Sequence, residues 1–328
     1  MCKVPPARRP FVVLALVVLA GCATSGGAVT LADGRTGSFP ILTRTLPTRP
    51  EMVEQPGTIT GDLSLPAGRD RVPAVIVLHS CAGVTPNVTE WARELNRMGY
   101  AALLVDSFTG RGVKEICTGH VSVNPGSRLA DLFRAQELLA THPRVDPQRI
   151  GVLGFSHGGW VALWASQAQY QRRFMRGTGA PPAAYGAFYP VGCNARLLNE
   201  ADVVGGPVRI FQGTDDDWTT IDHCREWVAR RRAAGKDVSL VEYDGALHAF
   251  DVSFYARPRR FRDVVNPSGC RMTQQADGTF VDEAGKPFSG ASPCMTRGAS
   301  VGYDARAHRQ AIDDVETFFK DAFARRWR

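Results

Sequence analysis

Short apolar segments alternate with amphipathic segments along most of the chain. Residues 74–78 and 101–105 are continuously apolar, as expected of strands buried on both faces of a parallel sheet. Between such runs, apolar positions recur at helical spacing, for example at 88–98. This alternation predicts an α/β protein with a doubly wound, mostly parallel sheet and helices on both faces.

The predicted elements run from residue 58 to residue 323. Strands are expected at 58–65, 74–78, 101–105, 150–153, 184–189, 208–212 and 238–243, and helices at 88–98, 127–141, 157–168, 221–234 and 305–323. Ligands of such sheets bind beyond the carboxyl ends of the strands. A functional site is therefore expected in the loops that follow strands.

One long stretch, 252–302, interrupts the alternation. It contains few aliphatic residues and several Gly, Pro and Arg residues, and connections of this length are either functional or disordered. Because it begins just after a candidate catalytic residue, His248, we expect a lid or substrate-selecting flap. A plain surface excursion is the alternative.

The chain begins with a segment typical of export. Basic residues precede the apolar run 11–20, which falls short of the roughly 20 residues that a membrane-spanning helix needs. This order predicts a secretory signal peptide at 1–21. Its end, Leu19-Ala20-Gly21-Cys22, resembles the lipobox of bacterial lipoproteins and predicts a lipid anchor on Cys22. An ordinary cleaved signal is the alternative.

The segment 22–56 is rich in Gly, Thr, Ser and Pro, which predicts a flexible tether between the lipid and a folded domain at 57–328. The protein would then be exported and held in the cell envelope. Ala23 is not the aspartate of inner-membrane retention, so the periplasmic face of the outer membrane is favoured.

The composition fits a folded domain and excludes some partners. The chain has 328 residues, of which 44% are hydrophobic, enough for a sizeable core. The formal net charge of +7 is mild, and no run of Lys and Arg is interleaved with aromatic residues. Nucleic acid is therefore not an expected partner, and no obligate protein partner is implied.

Six cysteines remain when Cys2 and Cys22 are set aside. An even number in an exported chain suggests disulfides, with free buried thiols as the alternative. We expect the pairs Cys81–Cys117, Cys193–Cys224 and Cys270–Cys294. No close Cys-x-x-Cys pair occurs, so zinc is not expected.

The strongest chemical signal is Gly154-Phe155-Ser156-His157-Gly158, a G-x-S-x-G motif between a predicted strand and a predicted helix. In a nucleophile elbow the serine occupies a cramped strand-to-helix turn, so the residues two positions away must be small. The helix N-terminus also stabilises negative charge. Ser156 is therefore the candidate nucleophile, and a glycine-rich turn without catalytic meaning is the alternative.

A serine hydroxyl is a weak nucleophile unless a base takes its proton. His248 lies in a loop directly after a strand, whereas His223 and His308 fall within predicted helices. The acid is expected in the loop after strand 208–212, where each of the consecutive aspartates 215–217 is a candidate.

Fixed donors must meet the charge that forms on a substrate carbonyl. The expected oxyanion hole consists of the backbone N–H groups of His157 and Cys81. Cys81 as a thiol nucleophile is an alternative reading of that residue.

Further side chains are candidates for binding substrate. Trp218 and Phe250 flank the candidate catalytic residues and would line an apolar pocket, with core packing as the alternative. Arg111 and Arg128 are candidates for binding a substrate carboxylate, with surface salt bridges as the alternative.

The segment 57–319 resembles the dienelactone hydrolase family of α/β-hydrolases. The resemblance rests on residues 79–83, 106–108, 145–147, 189–190, 213–219 and 245–251. It implies the α/β-hydrolase fold, Asp216 as the acid and His248 as the base. The best-known members carry cysteine where this chain has Ser156 and glutamate where it has Ser80. Their dienelactone substrate is therefore not carried over.

These features predict a serine hydrolase that cleaves carboxylic esters through an acyl-enzyme on Ser156. Neither a metal nor an organic cofactor is called for. The alternatives are a peptidase-like or amide hydrolase and a non-catalytic envelope lipoprotein that binds a ligand.

Overall fold

The computed structural model describes residues 30–47, 52–119, 122–176 and 179–325. The expected signal peptide 1–21 and Cys22 lie outside these ranges. The strands are β1 (Gly37–Thr45), β2 (Gln55–Ser64), β3 (Val72–Leu78), β4 (Ala101–Asp106), β5 (Val145–Phe155), β6 (Ala184–Phe188), β7 (Ala195–Arg196), β8 (Val208–Gly213), β9 (Val238–Tyr243), β10 (Arg259–Asn266), β11 (Met272–Gln274), β12 (Phe280–Val281) and β13 (Thr296–Val301). The helices are α1 (Pro86–Arg97), α2 (Pro125–Leu139), α3 (His157–Ala165), α4 (Ala168–Phe174), α5 (Ile221–Ala233) and α6 (Ala305–Ala324).

An eight-stranded sheet forms the centre of the molecule, in the order β1-β2-β4-β3-β5-β6-β8-β9. The pairs β1–β2 and β2–β4 are antiparallel, and the remaining pairs are parallel. This is the doubly wound, mostly parallel sheet that the alternation predicts. The loops after β3, β5, β8 and β9 consequently meet at one edge of the sheet.

The central strand β3 shows why its sequence is continuously apolar. Ala74 and Ile76 face a core formed with α2, α3 and α5. Val75 and Val77 face the opposite core, formed with α1 and α6. Successive side chains point to opposite faces of a strand, so a sheet covered on both faces requires apolar residues at every position. None of the described helices combines the length and apolar character needed to cross a membrane.

The prediction of a flexible tether at 22–56 is wrong for its second half, because β1 (Gly37–Thr45) is an edge strand of the central sheet. Phe39 and Ile41 alternate with exposed neighbours and are buried against the core. Pro40 lies between them, and proline is tolerated on an edge strand. The folded body therefore begins before residue 57, and the apolar alternation here is too short to stand out among Thr and Pro residues.

The stretch 252–302, called the flap below, has secondary structure of its own. β10 pairs with β13, and β11 pairs with β12 and with the short β7 of the main body. Arg271 forms an ion pair with Glu226 on α5. The disulfide Cys270–Cys294 closes the segment, and the other two expected disulfides, Cys81–Cys117 and Cys193–Cys224, are also present.

Candidate active site

Ser156 occupies the turn between β5 and α3, with φ 53° and ψ −110°. This left-handed region is costly for a residue with a side chain. The turn is possible because its neighbours are glycines. A Cβ on Gly154 would lie 2.1 Å from the carbonyl oxygen of Gly158, and a Cβ on Gly158 would lie 2.3 Å from that of Leu78. The serine is thereby presented at the carboxyl edge of the sheet.

His248 lies in the loop after β9 and faces Ser156. Its Nε2 atom is 3.1 Å from Ser156 Oγ, and both side chains are buried. The next residue, Ala249, also has a left-handed backbone with φ 59°. Of the three histidines that follow the elbow, the structure brings His248 to the serine.

Asp216 lies on the other side of the imidazole, with Oδ2 2.7 Å from His248 Nδ1. Because a carboxylate accepts, Nδ1 carries the proton and Nε2 is left to accept from Ser156. Backbone N–H groups of Trp218 and Thr219 donate to Asp216 Oδ1, both at 2.8 Å. These bonds hold the carboxylate in a fixed orientation.

The two neighbouring aspartates point elsewhere. Asp215 is exposed, and Asp217 accepts from Arg260 and Ser300 of the flap. The geometry therefore singles out Asp216 from the three candidates.

A second buried carboxylate, Asp251, supports the loop that carries His248, a role that no sequence motif indicates. It accepts hydrogen bonds from Tyr189 OH at 2.6 Å, from Trp91 Nε1 at 2.8 Å and from Asn87 Nδ2 at 3.1 Å. The Tyr189 ring centroid is 4.5 Å from that of His248. Burial, together with the nearby Asp251 carboxylate, raises the pKa of Tyr189 well above its usual value, so its hydroxyl stays a donor.

Cys81 and His157, the expected oxyanion residues, both line the space beside Ser156. His157 is the first residue of α3, and Cys81 follows β3. The Cys81 sulfur is bonded to Cys117, so it is not the free thiol that the alternative reading of Cys81 requires.

Arg128 is completely buried next to these residues. Its Nη2 donates to the carbonyl oxygen of His79 at 2.7 Å, and its Nη1 donates to His157 Nδ1 at 2.9 Å. Neither expectation for Arg128 is met. Its side chain is buried and lines neither of the two cavities beside Ser156, so it does not reach a substrate carboxylate. It also forms no surface salt bridge with a described residue. Burial lowers the pKa of Arg128 to about 9, which leaves the guanidinium charged at neutral pH.

Arg128 affects the histidines that it contacts. Burial first, and the charge of Arg128 second, lower the pKa of His79 and of His157 well below the usual value. Both rings are therefore neutral at neutral pH. Ser107 N–H donates to His79 Nε2 at 3.1 Å, which puts the His79 proton on Nδ1.

Of the three remaining side chains expected to bind substrate, two do not reach the site. Arg111 is ion-paired with Asp131 and also bonds Thr45, so it braces β1 against α2. Phe250 is fully buried among core aromatic rings. Trp218, in contrast, lines the space around Ser156.

Two cavities meet at Ser156. The His248 cavity, of about 380 Å³, extends from Ser156 past His248. The His157 cavity, of about 450 Å³, extends from Ser156 past His157. Trp218 and the disulfide Cys81–Cys117 line both. Within the described ranges, no three or more His, Cys, Asp or Glu side chains are grouped to hold a metal ion.

Comparison with known proteins matches residues 59–323 to the model of the Dienelactone hydrolase family. A Bradyrhizobium protein named "Probable 2-oxo-3-(5-oxofuran-2-ylidene)propanoate lactonase" is 26% identical over 62% of this chain and 81% of its own length. The carboxymethylenebutenolidase of Rhodococcus opacus is 29% identical over 54% of this chain and 69% of its own length.

Solved structures agree on the fold. A dienelactone hydrolase-like promiscuous phosphotriesterase from metagenomic libraries superposes with a TM-score of 0.51 at 16% identity, over 87% of this chain and 99% of that one. At this identity the likeness bears on architecture alone. With the sheet order and the flanking helices, it shows the α/β-hydrolase fold.

Proposed function

Because the chain belongs to the dienelactone hydrolase family and is therefore a hydrolase, we propose that it cleaves carboxylic esters through an acyl-enzyme on Ser156. One observation carries the proposal. Ser156 Oγ, the His248 imidazole and the Asp216 carboxylate form one hydrogen-bonded line, with distances of 3.1 and 2.7 Å. This is the arrangement that turns a serine hydroxyl into a nucleophile.

In the first half-reaction, His248 Nε2 takes the proton of Ser156 as its oxygen attacks the ester carbonyl carbon. The carbonyl oxygen becomes negative, and the backbone N–H groups of Cys81 and His157 stabilise it. The bond from the carbonyl carbon to the alkoxy oxygen then breaks, and His248 gives its proton to the departing alcohol. Water repeats these steps on the acyl-enzyme and releases the acid.

Asp216 acts through His248 rather than on the substrate. It holds the tautomer in which Nε2 can accept a proton, and it stabilises the imidazolium that forms when that proton arrives. Its own bonds to backbone N–H groups keep it in place.

The proposal of an ester bond, and not an amide bond, rests on the chemical class of a relative's substrate. The Bradyrhizobium relative is named as a probable lactonase, and a lactone is a cyclic ester, which supports an ester over an amide for this chain. The dienelactone substrate itself is not proposed, because Ser156 and Ser80 stand where the resemblance implies cysteine and glutamate.

A fluorophosphonate probe tests the nucleophile. Wild-type protein is expected to be labelled, Ser156→Ala to be unlabelled, and Ser253→Ala, a change at an exposed serine, to be labelled as wild type. A folded wild-type protein that resists the probe would contradict the proposal and favour a binding protein. p-Nitrophenyl esters and peptide anilides, assayed side by side, then distinguish an esterase from a peptidase.

We also propose that the protein is exported and anchored in the envelope through a lipid on Cys22. The signal-like segment and lipobox support this, and so do the three disulfides, since such bonds persist in oxidising compartments. Cys22→Ser should move the protein from the membrane fraction to the soluble fraction of the envelope. Unchanged membrane association would refute the anchor.

A further inference from the structure

The flap gives each cavity at Ser156 a separate wall. Val264 lines the His248 cavity, and the next residue, Val265, lines the His157 cavity. Successive residues of a strand face opposite sides, so β10 runs between the two spaces. Val265 is fixed there, because its N–H donates to Cys117 O and its carbonyl accepts from Trp218 Nε1, both at 2.8 Å.

The direction of proton transfer assigns a role to each cavity, provided that the proposed mechanism holds. The departing alcohol must receive its proton from His248 Nε2, so the alkoxy group occupies the His248 cavity. The acyl group stays bonded to Ser156 and extends the other way, into the His157 cavity.

Both cavities have apolar walls. Tyr255, Phe261 and Val264 contribute to the His248 cavity, and Trp160 and Met295 to the His157 cavity. Pockets of a few hundred Å³ with mostly apolar lining are typical of sites that enclose a whole small molecule. Each cavity, at about 380 and 450 Å³, has room for a bulky group.

The acyl side has further space. Trp160, Met272 and Phe288 also line an adjoining open groove of about 710 Å³. A long or aromatic acyl group can therefore extend beyond the His157 cavity along an aromatic surface.

The charged side chains that line the two cavities are engaged with the protein. Among the described residues, Glu115 lines the His248 cavity and accepts from Thr118 N–H and Oγ1 at 3.1 and 2.6 Å. Arg297 lines the His157 cavity and donates to the carbonyl oxygens of Asp263 and Thr118, at 2.6 and 3.4 Å. A substrate carboxylate in the His248 cavity would lie beside the Glu115 carboxylate. In the His157 cavity the charged lining residue is Arg297, whose Nη1 already donates to two carbonyl oxygens, so a carboxylate there would have to compete for that guanidinium while losing its hydration.

We infer that the substrate of this site is an uncharged ester with a bulky apolar group on each side of the carbonyl. The acyl group occupies the His157 cavity, and the alcohol group occupies the His248 cavity. The inference rests on the proposed esterase function and departs from the acidic lactone in the name of the Bradyrhizobium relative.

Four esters test this inference: the methyl and benzyl esters of acetic acid and of 4-phenylbutyric acid. Hydrolysis of each ester is monitored by the release of acid. Enlarging either side is expected to raise kcat/KM by about tenfold or more, in the range that added apolar contacts give. A benzyl ester whose acyl chain ends in a carboxylate is expected to be about 100-fold poorer than its neutral counterpart of equal length.

Two flap variants separate the sides. Phe261→Ala should reduce the benzyl preference and leave the acyl preference unchanged, and Met295→Ala should do the reverse. The deacylation rate is common to all esters of one acid, so Met295→Ala should change it and Phe261→Ala should not. Complete fluorophosphonate labelling at the end point, whatever its rate, shows that each variant keeps an intact catalytic centre.

Suppose that the enzyme is labelled but that kcat/KM does not rise, or falls, as either side of the ester is enlarged. That result would overturn the substrate inference alone, and so would equal kcat/KM values for the charged ester and its neutral counterpart. Loss of both labelling and hydrolysis in folded wild type overturns the esterase proposal, and the substrate inference with it.

Discussion

Arg128 Nη1 lies 2.9 Å from Nδ1 of His157, the residue that follows the proposed nucleophile. The same guanidinium donates to the carbonyl oxygen of His79, which begins the loop containing Cys81. One buried cation thus joins the two backbone segments from which the oxyanion donors are proposed to come. Its charge also favours the negative charge that forms on the substrate carbonyl oxygen.

Replacing Arg128 by Met should lower kcat by about 100-fold with a much smaller change in KM, because a displaced oxyanion donor weakens transition-state binding. Arg128→Lys keeps the charge but loses one contact, and it should recover part of the rate. Steady-state kinetics with p-nitrophenyl butyrate, alongside thermal unfolding, measure both effects. A folded Arg128→Met enzyme with wild-type kcat would limit this residue to a structural role.

Asp216→Asn should reduce kcat by about 10³- to 10⁴-fold, because an amide does not hold the His248 tautomer as a carboxylate does. Asp215→Asn is the matched control. It alters the adjacent exposed aspartate and should leave kcat within about twofold of wild type. Similar losses in the two variants would argue against Asp216 as the acid.

Gly158→Ala should destabilise the protein by about 3 kcal/mol or more. The new Cβ would lie 2.3 Å from the carbonyl oxygen of Leu78, and both groups belong to backbone that cannot move without distorting β3 or α3. Gly179→Ala is the control, since its Cβ would approach no heavy atom closer than Met175 Cε at 3.9 Å. Urea unfolding compares the two, and equal stabilities would contradict the steric account of the elbow.

The residues that local geometry restricts were predictable from sequence. A serine between Gly154 and Gly158 on a strand-to-helix turn leaves few alternatives, because the backbone atoms there exclude any Cβ. The acid is an intermediate case. Residue chemistry left aspartates 215–217 equivalent, and only the resemblance selected Asp216, the one whose carboxylate the structure puts 2.7 Å from His248.

The remaining features depend on distant partners. β1 is a strand because β2 pairs with it, and nothing within 37–45 identifies that partner. The sequence predicts Arg111 near substrate, but its guanidinium forms an ion pair with Asp131, twenty positions away. Arg128 is buried because it donates hydrogen bonds both to the loop after β3 and to the elbow. The spacing of apolar residues along the chain does not predict such contacts.

The buried histidines next to Arg128 predict how stability depends on pH. Burial and the Arg128 charge hold the pKa of His157 and of His79 well below the usual 6.5. The unfolded chain regains ordinary pKa values, so below pH 6.5 it binds protons that the folded protein does not. The free energy of unfolding is therefore greatest above the ordinary value and falls as pH falls, approaching about 1.4 kcal/mol per pH unit for each histidine.

His157→Gln isolates one of these contributions. Glutamine offers an oxygen that can accept from Arg128, and it does not titrate. The free energy of unfolding, measured with urea between about pH 5 and pH 8, should fall less steeply on acidification in the variant than in wild type. Carboxylates contribute equally to both proteins, so the difference between the two curves reports His157. Parallel curves would mean that the ring binds protons equally in the folded and unfolded states, so that its pKa is not lowered in the folded protein, and the contact with Arg128 would then need another explanation.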